Sequence, residues 1–218
     1  MSERQVPETA TASLSRLRNK PGFGVLMRSV AFGAFATGIL NVADDLVAIY
    51  ALNATATQIG LLNAAGAAAF LFLAIPAGIM LDRADRIKAM MWAQLAAGLA
   101  IFSVPLSWSL GALTYPQLVL VSFLVGVAGM LWGMGAGSAL PGIVGRDLAS
   151  TAFARKETVE TSMGIISPGL AGVLVAVISA PFTLIVAGAA NLLAAGTLLW
   201  GFRKKTGNTS PPAETAAR

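Results

Sequence analysis

The chain contains no cysteine and no histidine. The first absence removes disulfides and thiolate chemistry. The second removes the side chain that most often ligates metals or moves protons near neutral pH. Charge is scarce too, since Asp, Glu, Lys and Arg make up 11% of the residues, against ~25% in soluble domains. No Gly-rich loop ending in Lys-Ser or Lys-Thr is present to cradle a nucleotide phosphate, so ATP hydrolysis is not expected. Neither a metal nor a cofactor is predicted, and no catalytic residue is assigned. What fills the chain is apolar, with 56% hydrophobic residues and 23 glycines.

The apolar residues gather into six stretches, roughly 25–52, 58–81, 87–108, 115–137, 161–180 and 182–202. Each is near the ~20 residues that a helix needs to cross a bilayer. The 15 basic residues are distributed with one bias. They lie before the first stretch or in its opening turns (up to Arg28), between the second and third (Arg83, Arg86, Lys88), between the fourth and fifth (Arg146, Arg155, Lys156), or at and after the end of the sixth. The connections at 53–57, 109–114 and 179–181 carry no charge. Basic segments are retained in the cytoplasm during insertion. The pattern therefore predicts an all-α membrane protein of six transmembrane helices in the inner (plasma) membrane, with both termini cytoplasmic. The net charge of +5 follows from these helix ends and does not indicate nucleic-acid binding; the lipid bilayer is the expected partner. The first stretch exceeds the ~7–15 apolar residues of a signal peptide, so its removal is not expected.

Three segments follow: a polar cytoplasmic arm over 1–21 with a short surface helix at its end, a transmembrane domain over 22–203, and a disordered tail over 204–218. Short outer turns predict antiparallel hairpins of helices one with two, three with four, and five with six. The inner link after helix four, about 138–157, contains Pro141, Gly142 and Gly145 and reads as a long loop. Alternation of short and long inner links predicts a three-plus-three repeat, although no residue-level match joins the two triplets. Gly129, Gly133 and Gly137 form a stripe of small residues suited to helix packing.

Three constellations carry chemistry. The first is the turn Gly78-Ile-Met-Leu-Asp82-Arg83-Ala-Asp-Arg86-Ile-Lys88. Asp82 and Arg86 are spaced to pair along one helical face, and Gly78 would let another helix approach. The second is the acid pair Asp44 and Asp45, deep in the first stretch and ~24 Å along a helix from Arg28. An acid at that depth costs ~2.5–3.5 kcal/mol, so it either faces a wet cavity and can carry a proton or marks a hydrated helix end. Asn41 shares the face of Asp45, and adjacent Asp44 and Asp45 are expected to face apart. Trp132, away from either interfacial belt, lines a cavity or fills a helix contact. The third is Gly164-x-x-x-Pro168-Gly169-x-x-Gly172, where Pro168 frees the Gly164 carbonyl and makes a hinge or a static bend. Glu157 and Glu160 suit the opening turns of helix five.

The charged turn resembles the loop after the second helix in the major facilitator superfamily, Gly-x-Leu-Ala-Asp-Arg-x-Gly-Arg-Lys. Gly78, Asp82, Arg83, Arg86 and Lys88 fit; Met80 and Asp85 replace the Leu and the second Gly. Gln58 to Leu62, Leu73 to Gly78 and Ser138 to Pro141 are similar to the branch of siderophore, macrolide and multidrug exporters. Ser167 to Gly172 resembles its fifth-helix Gly-Pro-x-x-x-Gly segment, with Ser167 in place of Gly. The resemblance implies proton-coupled export of a small amphipathic compound, with the loop latching two six-helix halves. This chain corresponds to one half, so a second six-helix half on the same or another chain is the implied partner. Two departures stand out. Relatives place the helix-one acid about two turns earlier, and the Arg that many proton-driven members carry in helix four is Ser122 here. A six-helix channel or a non-transporting membrane partner is the alternative. An intramembrane protease is disfavoured, because its serine form needs a histidine and its aspartyl form needs acids on separate helices.

Overall fold

The computed structural model describes residues 15–17, 19, 20, 22–83 and 85–206, with the side chains of 82, 83 and 202–206 outside that description. Six helices account for nearly all of it: α1 (Phe23–Leu52), α2 (Ala56–Arg83), α3 (Arg86–Ser109), α4 (Tyr115–Val144), α5 (Arg146–Ile178) and α6 (Ala180–Thr206). All six are long and apolar enough to cross a membrane. Hydrocarbon offers no partner for backbone N–H and C=O groups, so the chain stays helical wherever it can.

The breaks between helices are short and locally encoded. Asn53 takes a left-handed conformation (φ 51°) and ends α1, a role that Asn fills where Gly is absent. Thr55 and Gln58 then cap α2 reciprocally. The Thr55 amide donates to Gln58 Oε1 at 2.8 Å, and the Gln58 amide donates to Thr55 Oγ1 at 3.4 Å. This is a capping box. At the outer end Tyr115 donates its hydroxyl to the Gln58 carbonyl at 2.9 Å, tying α4 to α2.

The inner link between α4 and α5 departs from the expected loop. Helix α4 continues through Pro141 to Val144, and α5 begins at Arg146, leaving Gly145 (φ 92°) as the only break. Leu140, Val144, Leu148 and Ala152 recur every four residues and are buried in one apolar cluster with Leu17 of the arm. That stripe gives the segment a helical face to bury, and it outweighs the turn-forming Pro and Gly. Leu17, only 1% exposed, anchors the arm's described end on this cluster. The tail expected from 204 lies outside the described residues beyond Thr206.

Helix pairing follows the three-plus-three layout. Helix α1 packs mainly on α5 and α6, α4 mainly on α2 and α3, and α3 on α6. Exchanging α1–α3 with α4–α6 returns the same set of pairs. The tightest crossings obey the same exchange, because Gly38 of α1 lies against Ser167 of α5 and Gly126 of α4 lies against the Gly66 backbone of α2. Gly98 and Gly188 face each other across α3 and α6: a Cβ on either would sit 3.2 or 3.3 Å from the other's carbonyl. Hydrogen bonds repeat it as well. Ser29 of α1 donates to the Ala194 carbonyl of α6, and Gln117 of α4 donates to Ser103 and Ser107 of α3. Matching positions are about 90 to 100 residues apart, the spacing of one internal repeat.

Of the three expected hairpins, only α3 and α4 pack closely; α1 barely meets α2, and α5 meets α6 little. A short turn sets direction alone, whereas the facing small residues choose the packing partner. The Gly129, Gly133 and Gly137 stripe is not one of these contacts, since a Cβ at each would meet nothing within 4 Å.

Candidate functional site

Two apolar clusters plug the helix bundle. The inner one includes Leu26, Met90, Leu140 and Leu198, and the outer one includes Ile39, Ile101, Leu118 and Leu184. Two cavities adjoin them, one meeting the inner cluster at Trp132 and the other meeting the outer cluster at Leu40 and Leu62. The larger, about 380 Å³, is lined by residues of α1, α3, α4, α5 and α6, including Asn41, Gln94, Trp132, Glu160, Gly164, Pro168 and Asn191. The second, about 300 Å³, opens between α1, α2 and α4 and is lined by Asp44, Asp45, Asn63 and Ser122. Thr37, Asn41, Val125 and Gly129 line both, so the two spaces adjoin along α1 and α4. Gly129 contributes here through its missing side chain, which leaves space where a packing contact was expected.

Asp44 and Asp45 face apart, as expected of neighbours on one helix, yet both line the second cavity. The cavity lies in the wedge between α2 and α4, and each acid takes one wall. Asp44 Oδ2 accepts the Ser122 hydroxyl of α4 at 2.6 Å. Asp45 Oδ1 accepts from Asn63 Nδ2 of α2 at 3.0 Å. The other oxygen of Asp44, Oδ1, is buried and meets no partner among the described residues. Such an atom is costly to leave unpaired, and an acidic oxygen so placed is suited to holding a proton. Asn41 lies one turn from Asp45, on the shared wall of the two cavities.

Trp132 does both of the things weighed for it, lining the larger cavity and closing the inner cluster at 8% exposure. Glu157 and Glu160 do not open a helix. Helix α5 starts about three turns earlier, at Arg146. Instead they bind Lys156, whose Nζ lies 3.1 Å from Glu157 Oε1 and 2.6 Å from Glu160 Oε2.

A profile of the Major Facilitator Superfamily matches residues 23–218. The chain belongs to this superfamily. It is a multi-pass membrane transporter of the facilitator type, and its six helices form half of a facilitator fold. No curated protein matches the chain.

In this facilitator the charged turn after α2 is split between two helices. Asp82 and Arg83 close α2 and Arg86 opens α3, so Asp82 and Arg86 do not lie on one helix, which their spacing assumed. The Asp82 and Arg83 side chains lie outside the described residues. Asp85, which replaces the motif glycine, caps α3 by accepting from the amides of Ile87 and Lys88 at 3.1 and 3.3 Å. It also pairs with Lys88 at 3.6 Å. Arg86 Nη1 donates to the Ser138 carbonyl at 3.1 Å, fastening the turn to the inner part of α4. A Cβ on Gly78 would meet nothing within 4 Å, so no helix approaches there among the described residues.

Gly164 and Pro168 line the larger cavity. A Cβ on Gly164, Gly169 or Gly172 would find open space, so these glycines make no close helix contact among the described residues. The close contact of this segment is made by Ser167, fully buried in the groove left by Gly38. Sequence reading missed Gln94 and Asn191, both buried and both on the larger cavity. The detectable hint was a primary amide in the middle of an apolar run, a group that is costly in hydrocarbon.

Proposed function

We propose that this facilitator exchanges protons for a small amphipathic compound, in the outward direction, and that Asp44 carries the proton. The observation that carries the reading is the Asp44 carboxylate: one oxygen is held by Ser122, the other is buried without a partner among the described residues, and the residue lines a cavity beside the outer apolar cluster. Asp45, held by Asn63, supplies a second acid beside it and tunes the affinity for the proton. Ser122 stands where the resemblance places an arginine in many proton-driven members, so coupling runs through a carboxyl–hydroxyl contact without a fixed cation.

The apolar walls and Trp132 suit an amphipathic cargo. Export fits the similarity of the charged turn and of the Ser167 to Gly172 segment to the exporter branch. The six helices act with a second six-helix half, on the same or another chain, and the turn from Asp82 to Lys88 latches the two. The site is in the inner (plasma) membrane, with both ends of the domain in the cytoplasm.

Proton-coupled flux in reconstituted vesicles tests the reading. An acid-inside gradient should drive uptake into everted vesicles of an amphipathic fluorescent compound, because each proton leaving the lumen is exchanged for cargo entering it. Asp44→Asn should abolish gradient-driven uptake, and Asp45→Asn should reduce it about tenfold, the rate equivalent of ~1.4 kcal/mol. Uptake that survives Asp44→Asn unchanged would remove the carboxyl from the mechanism.

A further inference from the structure

Two buried side chains on the larger cavity take no part in the chemistry of the acid pair. Gln94 of α3 and Asn191 of α6 retain 6% and 5% exposure and both line that cavity. Among the described residues neither amide has a hydrogen-bond partner. A buried amide normally finds one, so two unpaired amides facing one space form a recognition surface.

The surroundings hold the surface in place and keep it neutral. Gly33 of α1 is the residue that Gln94 crosses, since a Cβ there would lie 2.9 Å from Nε2. The missing side chain lets the amide reach the cavity. Glu160 is the one ionisable side chain on the wall among the described residues, and its Oε2 lies 2.6 Å from Lys156 Nζ. The charge it would present is therefore offset. Each amide offers both a donor and an acceptor, and the indole of Trp132 supplies a flat apolar wall.

We infer that Gln94 and Asn191 form a subsite for an uncharged hydrogen-bonding group of the cargo, an amide, carbonyl or hydroxyl on an aromatic or otherwise apolar body. This rests on the transport reading for its physiological meaning, but binding at the subsite does not need transport. An uncharged cargo leaves Asp44 free for the proton, so the ligand and the proton occupy adjoining spaces without competing for one carboxylate. The subsite selects against quaternary ammonium compounds, which would give up hydration for a wall with no unpaired anion.

The test is saturable binding of tritiated N-benzylbenzamide to the full chain in nanodiscs, with benzyltrimethylammonium as competitor. Binding of the amide should saturate, and the cation should not displace it. Gln94→Leu and Asn191→Leu should each weaken binding about tenfold, as loss of one buried hydrogen bond does. Both should melt at or above the temperature of the parent, because an unpaired amide is replaced by an apolar side chain. A fall in melting temperature would instead mark the amides as structural. Gly33→Ala keeps both amides but displaces Gln94, and should weaken binding while the chain stays folded. Absence of saturable binding, equal displacement by the cation, or affinity within about twofold in all three variants would overturn the subsite. Binding without gradient-driven flux would leave it standing and contradict the transport reading alone.

Discussion

At the scale of single residues, the chemistry depends on how a carboxyl is kept in an apolar helix. Asp44 has one strong protein contact, the Ser122 hydroxyl at 2.6 Å. A hydrogen bond to a charged group is worth ~1.5–3 kcal/mol. Ser122→Ala should therefore lower gradient-driven flux about tenfold or more and also lower the melting temperature of the purified chain, since it leaves the buried carboxyl without that bond. Flux equal to that of the parent would mean that the hydroxyl does not serve the carboxyl. The two acids stand out in the sequence, because ionised groups interrupt an apolar run. Their partners do not, since Ser122 and Asn63 are ordinary small polar residues whose role exists only once α2 and α4 converge on α1. Gln94 and Asn191 are hidden in the same way, with no charge and no motif to mark them.

At the scale of helices, sites of close approach decide the architecture. A Cβ on Gly126 would overlap the Gly66 carbonyl, whereas one on Gly133 would meet nothing within 4 Å. Gly126→Ala should push α2 from α4 and cost ~1–3 kcal/mol, the usual effect of overpacking, seen as a lower melting temperature. Gly133→Ala should be neutral or slightly stabilising, because alanine favours helix. Equal responses would show that this crossing is not tight. Both glycines look alike in sequence, which is why the stripe of three was readable and its packing was not. The inner link failed to read as helix for a related reason. Pro141, Gly142 and Gly145 are strong turn residues, and the apolar stripe from Leu140 to Ala152 outweighs them only when Leu17 and the inner cluster cover it.

At the scale of the whole molecule, lipid does most of the specifying. Six apolar runs of spanning length and basic residues confined to alternate connections are one-dimensional features, so the helix count was legible without a structure. The repeat was only half legible. It lies in where helices touch, at positions about 90 to 100 residues apart, and hardly in which residues do the touching, as the pairing of Gly38 with Ser167 against Gly126 with Gly66 shows. The uneven placement of positive charge predicts a chain that threads the membrane six times, starting from the cytoplasm. The absence of native cysteine makes it directly measurable. Single cysteines in place of Ala54, Leu110 and Lys88 would be challenged with a membrane-impermeant maleimide on intact cells. Cysteine at 54 and 110 should react, and cysteine at 88 should react only after permeabilisation; labelling at 88 in intact cells, with 54 and 110 protected, would contradict the account.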